Sequence, residues 1–447
     1  MTDLMNIYKL KYAKNREELL ASIEKSSYHL LPIEQQILLI IIGIRENAWI
    51  TVDSIKSILS AEKINKISTD LKKKLAEVIA VLWCQRESVG TPISKKQISS
   101  LDFLLENMFK NSQSCPTSEI KISEYTLANY ELSNTDTPKT FVCCFRRFWW
   151  SNDPSREHEV GPRVSAALKK CGHKSSLIEL TELISIESNA LLAKADIFII
   201  DVEQSGFAAA EDELFSRLSD LNIKVIAWIG DCHRWTQDDY SEIKAKVDVV
   251  WISGHSKFLC EPDDRKTTDF PIPIGLNLKF GFQLNLHLKR HLKFQGSIER
   301  NNLPRLLYWL ECLKNGIEVQ VSSHLYDNKS ALDSYSEYLA TLHSSGAVLD
   351  VSERITGDRI MTGRPFEVAS LGSLLVRDKS PLNSRFFIPN EEFVEIETPK
   401  DLINVSRELQ TDPSRLMAIA RRGHERWKNF YSDNLMVRHF NALLGME

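Results

Sequence analysis

The sequence predicts an α/β protein: two doubly wound domains facing each other across a cleft, preceded by a mostly helical N-terminal domain. Three observations carry this. The 447-residue chain exceeds what one ordinary core can use. From about residue 140, short apolar runs alternate with amphipathic stretches, the pattern of strands buried on both faces in a parallel sheet. Before that point the periodicity is helical almost throughout.

The helical part, assigned to residues 1–130, rests on REELLASIEKS, EQQILLIIIGI, VDSIKSILSAE, STDLKKKLAEVIAVLW and SSLDFLLENMF, each repeating apolar residues at three and four. Its plainest role is to pack on and support the α/β domains; docking a partner or acceptor is the alternative. ELSNTDTPK, 131 to 139, reads as a linker.

The first α/β domain is assigned to 138–280. TFVCCF reads as a strand, GPRVSAALKKCGHK as a helix ending at Gly172, SSLIEL as a strand and LISIESNALLAKA as a helix. DIFIIDV, IKVIAWIGD and KVDVVWISG are further strands, with AAAEDELFSRLSDLN a helix between the first two. A second domain is assigned to 290–425. It contains the strands LKFQG, IEVQVS, AVLDVS, SLLVRD and FVEIE, and the helices NNLPRLLYWLECLKNG, SEYLATLHSSG and PFEVASLG. Ligands of open α/β sheets bind beyond the carboxyl ends of the strands, which sets the cleft as the site.

Composition narrows the function. A net charge of -4 with 26% charged residues gives no basic excess to favour nucleic acid as a partner. The run ILLIIIGI is far short of a membrane span, so no transmembrane segment is expected, and peripheral membrane contact is left open. No leader-like segment opens the chain, and the cytoplasm is the expected compartment. The eight cysteines form no Cys-x-x-Cys pair and read as free thiols. Cys232 with His233, and His287 with His291, lack the further ligands a metal needs.

The segment GRPFEVASLGSLLV is preceded by FQGSIERNNLPRLLYWLECLKNGIEVQV and followed by FVEIETPKDLINVSRELQTDPSRLMAIARRGHERW. Together they resemble the C-terminal half of GT-B glycosyltransferases, and within them the spore-maturation-type, glycosyl transferases group 1 family. That resemblance implies Rossmann-like domains and transfer of a hexosyl or related sugar from a nucleotide-sugar co-substrate to a glycan, lipid-linked or protein acceptor. It also implies that residues 426–447 are a terminal helix crossing back onto the first domain. An epimerase or hydrolase of nucleotide sugars, or a catalytically silent binding module, would share the fold.

By the same resemblance Glu367 matches the second glutamate of a pair spaced eight apart, where a carboxylate can accept hydrogen bonds from both ribose hydroxyls. The bland alternative is an acid at a helix N-terminus. Arg359 stands where the first acid would be, with Asp358 beside it. A departing diphosphate needs positive charge, for which Arg300, Arg305 and Arg364 are candidates; Arg305 suits a solvent face equally well. Gly296 and Gly363 would let backbone approach phosphate, or are merely turns. No Asp-x-Asp occurs, so no metal and no resident cofactor is expected.

A general base must lie within reach of the acceptor hydroxyl. RRFWWSNDPSREHEVG and DCHRW, after two strands of the first domain, supply Asp153, Glu157, His158, Asp231 and His233. Asp153 or His158 is the first choice and Asp231 the next. Phe148, Trp149, Trp150 and Trp235 are candidates to stack on a sugar ring.

Overall fold

The computed structural model describes residues 138–145, 160–184, 190–204, 207–230, 235–252, 254–255, 264, 266–275, 292–295, 305, 307–308, 311–312, 315, 317, 319–322, 339–340, 342–353 and 359–445. The helical domain expected over 1–130 lies outside them. So do Phe148, Trp149, Trp150, Asp153, Glu157, His158, Asp231, His233, Gly296, Arg300 and the two Cys/His pairs.

Two parallel sheets organise the described chain. The first contains β1 (Thr140–Cys144), β2 (Lys174–Ile178), β3 (Ile197–Asp201), β4 (Lys224–Ile229), β5 (Val249–Ile252) and β7 (Thr267–Thr268), in the spatial order β2-β1-β3-β4-β5-β7. The second contains β8 (Leu292–Gln295), β9 (Val319–Ser322), β10 (Ala347–Asp350), β12 (Leu374–Asp378) and β13 (Val394–Ile396), ordered β13-β12-β10-β8-β9. All pairings within both sheets are parallel. Numbered by chain order within each sheet, the first runs 2-1-3-4-5-6 and the second 2-1-3-4-5. The strand order therefore reverses between β1 and β3 in one sheet and between β8 and β10 in the other, the places where such sheets open a ligand crevice.

The first sheet is apolar on both faces because each face has its own helices to bury. Val142 and Cys144 of β1 point into one core with Phe198, Ile200, Ala227 and Ile252. Phe141 and Cys143 point into the other with Ile197, Ile199, Ile226 and Trp251. Period-two alternation thus feeds two cores rather than one core and solvent. Helix α2 (Phe207–Asp220) covers the first face through Phe207, Leu214, Phe215 and Leu218, and α3 (Gln237–Lys246) through Tyr240 and Ile243. Helix α1 (Val160–Lys170) covers the opposite face with Val164, Ala167 and Leu168, and it ends where Gly172 takes φ +87°. Of the helix expected over LISIESNALLAKA, the first two residues end a 3-10 turn (Leu180–Ile184) and residues 190–192 are helical, while 185–189 lie outside the described residues.

Around the second sheet lie α4 (Arg364–Ser370), α5 (Asn383–Phe386), α6 (Asp401–Thr411) and α7 (Ser414–Phe430). The tail expected as one helix from 426 is the end of α7 followed by α8 (Asp433–Leu443). Ser432, extended at ψ 156°, breaks them apart. Met436, Val437 and Phe440 of α8 lie in the same core as Phe141, Val164 and Trp251, with the Phe440 and Trp251 rings 5.0 Å apart. Each such fully buried side chain is worth about 1.5–3 kcal/mol, so the last helix is anchored on the first sheet.

One short ladder was not expected from the sequence. β6 (Gly254–His255), just past β5, pairs antiparallel with β11 (Ile360–Met361), immediately ahead of α4. It ties the end of the first sheet to the GRPFE segment.

Candidate functional site

Helix α4 is set up by its own sequence. Pro365 near its start has the φ a first turn needs and lacks an N–H that would go unused there. Phe366 packs among Phe386, Phe387 and Tyr431 at ring separations of 5.4, 5.4 and 5.1 Å. Gly372, at φ +68°, ends the helix, and the Ser373 N–H bonds back to the Val368 carbonyl at 3.2 Å. Between the buried Phe366 and Val368 stands Glu367, itself buried.

Glu367 does not face solvent at a helix end. Its Oε1 lies 2.9 Å from Nη1 of Arg163, a residue of α1, and both side chains are only 6% exposed. Arg163 is fixed further by donating from Nε to the Pro273 carbonyl at 2.8 Å. Its backbone carries the close approach of Gly275, where a Cβ would meet the Arg163 carbonyl oxygen at 2.5 Å. The buried Asp433 of α8 in turn accepts the Ile274 N–H at 3.0 Å and the Gly275 N–H at 3.3 Å. A second buried pair, Asp269 after β7 with Arg385 of α5, also joins residues of the two sheets' sequence regions. Burial holds the Asp269 carboxyl above its usual range, and Arg385 opposes that.

Beyond the carboxyl ends of β10 and β12 is a dense polar cluster. Asp378, buried, accepts from the backbone N–H and hydroxyl of Ser352, from the Glu353 N–H and from Arg359. Arg359 also pairs with Glu353 at 3.0 Å. Burial raises the Glu353 carboxyl, the charge of Asp378 pushes the same way, and Arg359 opposes both. Arg377 bonds Asp350, the Ile360 carbonyl and Asn383 Oδ1, the last at 2.8 Å. Arg359, eight residues before Glu367, is therefore held by two neighbouring carboxylates.

Of the sequence-predicted donor residues, Glu367, Arg364 and Gly363 are adjacent on one turn. Arg305 is corrected: rather than suiting a solvent face it is 6% exposed, with Nε directed at the Val351 carbonyl at 3.4 Å, because the strand end it packs beneath offers a buried acceptor. It lies at the end of β10, beside the strand-order reversal of the second sheet. Gly363 has an ordinary helical backbone, φ -65°, and a Cβ there would sit 3.7 Å from both Arg163 Nη1 and Glu367 Oε1. That is ordinary van der Waals contact, so neither space nor backbone conformation demands a glycine at 363. Trp235 packs on the first core and donates its indole N–H to Glu203 at 3.1 Å, which accounts for it structurally.

A narrow crevice of about 10 Å³, room for about one water molecule, lies between the two sheets' ends, lined among others by Trp228, Trp251, Asp269, Thr362, Gly363 and Phe366. Among the described residues no group of three or more His, Cys, Asp or Glu is placed to hold a metal ion, and no helix is long and apolar enough to cross a membrane.

Sequence reasoning missed Arg163, although its signal was present. Val160, Val164, Ala167 and Leu168 repeat at helical spacing, and Arg163 falls on that apolar stripe. An arginine so placed needs a buried acidic partner.

Residues 305–438 match the family model described as "Glycosyl transferase-like". No curated protein sequence matches the chain. Among solved structures, Anabaena HepE in complex with UDP and glucose is similar at 9% identity, covering 69% of this chain and all of that one, with a TM-score of 0.43. Sucrose-phosphate synthase from Thermosynechococcus elongatus is similar at 12% identity over 69% of this chain and all of its own, TM-score 0.44. An alpha-glucosyltransferase in complex with UDP-glucose and DNA containing an abasic site shows 11% identity over 69% of this chain and 99% of its own, TM-score 0.43. The matched segment, residues 305–438, holds α4, Glu367 and the polar cluster at the ends of β10 and β12, and over that segment the chain is similar to the glycosyl transferase-like family.

Proposed function

We propose that the protein transfers a hexosyl or related sugar from a nucleotide-sugar donor to a glycan, lipid-linked or protein acceptor, without a resident metal or cofactor. One observation carries the reading: the family-matched segment places a buried carboxylate, Glu367, where the second sheet's GRPFE turn meets the first sheet's α1. In this role Glu367 accepts hydrogen bonds from the ribose hydroxyls, made stronger by its charge. Arg364 and Arg300, with Arg305 the further candidate, supply positive charge for the diphosphate as the glycosidic bond breaks. Asp153 or His158, and next Asp231, is the base for the acceptor hydroxyl.

Thermal unfolding of the full chain with the uridine, guanosine, cytidine and deoxythymidine diphosphates tests the donor site. A nucleotide at a hundredfold its Kd stabilises by about 2.7 kcal/mol, and Glu367→Gln removes that shift. Glutamine is the better replacement, because alanine would strand Arg163 without an acceptor and cost stability in its own right. No shift with any of the four sinks the reading.

Arg359 favours a second reading, a nucleotide-sugar binder that does not transfer, since the usual first acid is replaced by a cation engaged with Asp378 and Glu353. Release of nucleoside diphosphate from a sugar nucleotide only when an acceptor is present decides for transfer. Release with water alone decides for a hydrolase.

A further inference from the structure

We infer that Arg163 is a positioning residue for the nucleotide donor, acting through Glu367 from the opposite side of the cleft. The inference rests on the donor-site reading of Glu367 and adds to it a residue from outside the family-matched segment.

The pair is expensive as a stability device. Two charges at 6% exposure give up most of their hydration, and an apolar pair of similar volume would hold the same two elements at least as well. What a charged pair supplies instead is direction. Arg163 Nη1 fixes Oε1 of Glu367 at 2.9 Å, which sets the direction in which the carboxylate is presented.

The mount of Arg163 is rigid at each step. Its Nε is held by the Pro273 carbonyl, its backbone is pinned against Gly275, and the 274–275 amides are held by Asp433, which also pairs with Lys170 of α1 at 3.3 Å. Supporting shells of this kind set the geometry of a binding group to within a fraction of an ångström. Gly363, lining the crevice, is the residue whose missing side chain would stand 3.7 Å from both partners, so the pair lies directly behind the crevice wall.

The test measures affinity by calorimetry for whichever of the four nucleoside diphosphates stabilises the full chain, and for the matching nucleoside. The variants are Glu367→Gln, Arg163→Lys, Arg163→Met and Arg163→Met with Glu367→Gln, each with its thermal midpoint. A positioning role predicts that Arg163→Met weakens both ligands about tenfold or more, that Arg163→Lys recovers part of the loss, and that the double variant binds no worse than Glu367→Gln alone. Arg163→Met can fail to fold, because it leaves the Glu367 charge buried alone; Arg163→Lys then carries the test, with a several-fold loss at a near-normal midpoint. Wild-type affinity in folded Arg163→Lys or Arg163→Met overturns the inference and makes the arginine purely structural. Loss confined to the diphosphate, additive with Glu367→Gln, also overturns it and makes Arg163 a phosphate ligand. If Glu367→Gln itself binds normally, it is the donor-site reading that fails.

Discussion

Gly275→Ala tests the mount directly. The residue is held at φ +74°, and the left-handed region costs an L-residue about 1–2 kcal/mol. A Cβ there would also meet three backbone atoms of Arg163, the carbonyl oxygen at 2.5 Å, Cα at 2.8 Å and the carbonyl carbon at 3.0 Å. Backbone cannot rotate aside as a flexible side chain can, so overpacking adds about 1–3 kcal/mol. The expected total is about 2–5 kcal/mol. Gly172 supplies the control, since it has φ +87° and nothing within 4 Å of its Cβ position, and Gly172→Ala is expected to cost only the conformational part. Urea unfolding followed by tryptophan fluorescence separates them: both midpoints fall, that of Gly275→Ala much further, with the slope unchanged. Equal losses in the two variants would refute the claim that 275 is a contact point for α1. In the same experiment nucleoside diphosphate binding weakens in Gly275→Ala alone, because the clash moves the backbone that bears Arg163.

His439, buried with its Nε2 2.8 Å from the Thr268 hydroxyl, is pushed down to about 4 by burial, so the unfolded chain binds its proton first; stability is full above about pH 6.5 and falls by about 3 kcal/mol towards pH 4, and His439→Gln flattens that part of a melting-against-pH profile. Asp269→Asn strands the Arg385 charge and costs about 3–5 kcal/mol in urea unfolding, whereas Asp269→Leu with Arg385→Met restores most of it. Gly423→Ala lowers the melting midpoint even though alanine is the better helix former by about 1 kcal/mol, because its Cβ would collide with the Glu392 carbonyl oxygen. Arg359→Glu sets three carboxylates together with Asp378 and Glu353 and costs about 2 kcal/mol or more in the same unfolding assay.

The strands were legible because each is apolar on both faces, a pattern that survives any detail of packing. TFVCCF, DIFIIDV and SLLVRD fall within a residue or two of β1, β3 and β12. What stayed hidden depends on contacts between distant segments. The β6–β11 ladder joins two dipeptides too short for any periodicity to show. Arg305 stayed open between donor ligand and solvent face because nothing nearby in sequence announces the Val351 carbonyl it meets. The resemblance singles out Glu367 as a ligand residue and is silent on Arg163, which belongs to another helix and another sheet. The break at Ser432 was overlooked because apolar residues continue at helical spacing on both sides of it, in α7 and α8.

The chemistry of the seam between the sheets bears on how the cleft can work. Two of its contacts, Arg163 with Glu367 and Asp269 with Arg385, are ion pairs with exposures of 7% or less. When such a seam opens, the charges recover hydration, so parting it costs less than parting an apolar seam of equal area, where opening forfeits about 25 cal/mol for every Å² exposed. At the other end α8 remains bound to the first sheet through Met436, Val437 and Phe440, a contact with no such compensation. The β6–β11 ladder crosses at the crevice as well, so opening it towards Glu367 would part that ladder together with both ion pairs. Replacing Asp269 and Arg385 by apolar residues should then do two things at once: preserve stability, and slow nucleotide entry measured by stopped-flow fluorescence. Unchanged association kinetics in a stable double variant would show that this seam does not govern access to the crevice.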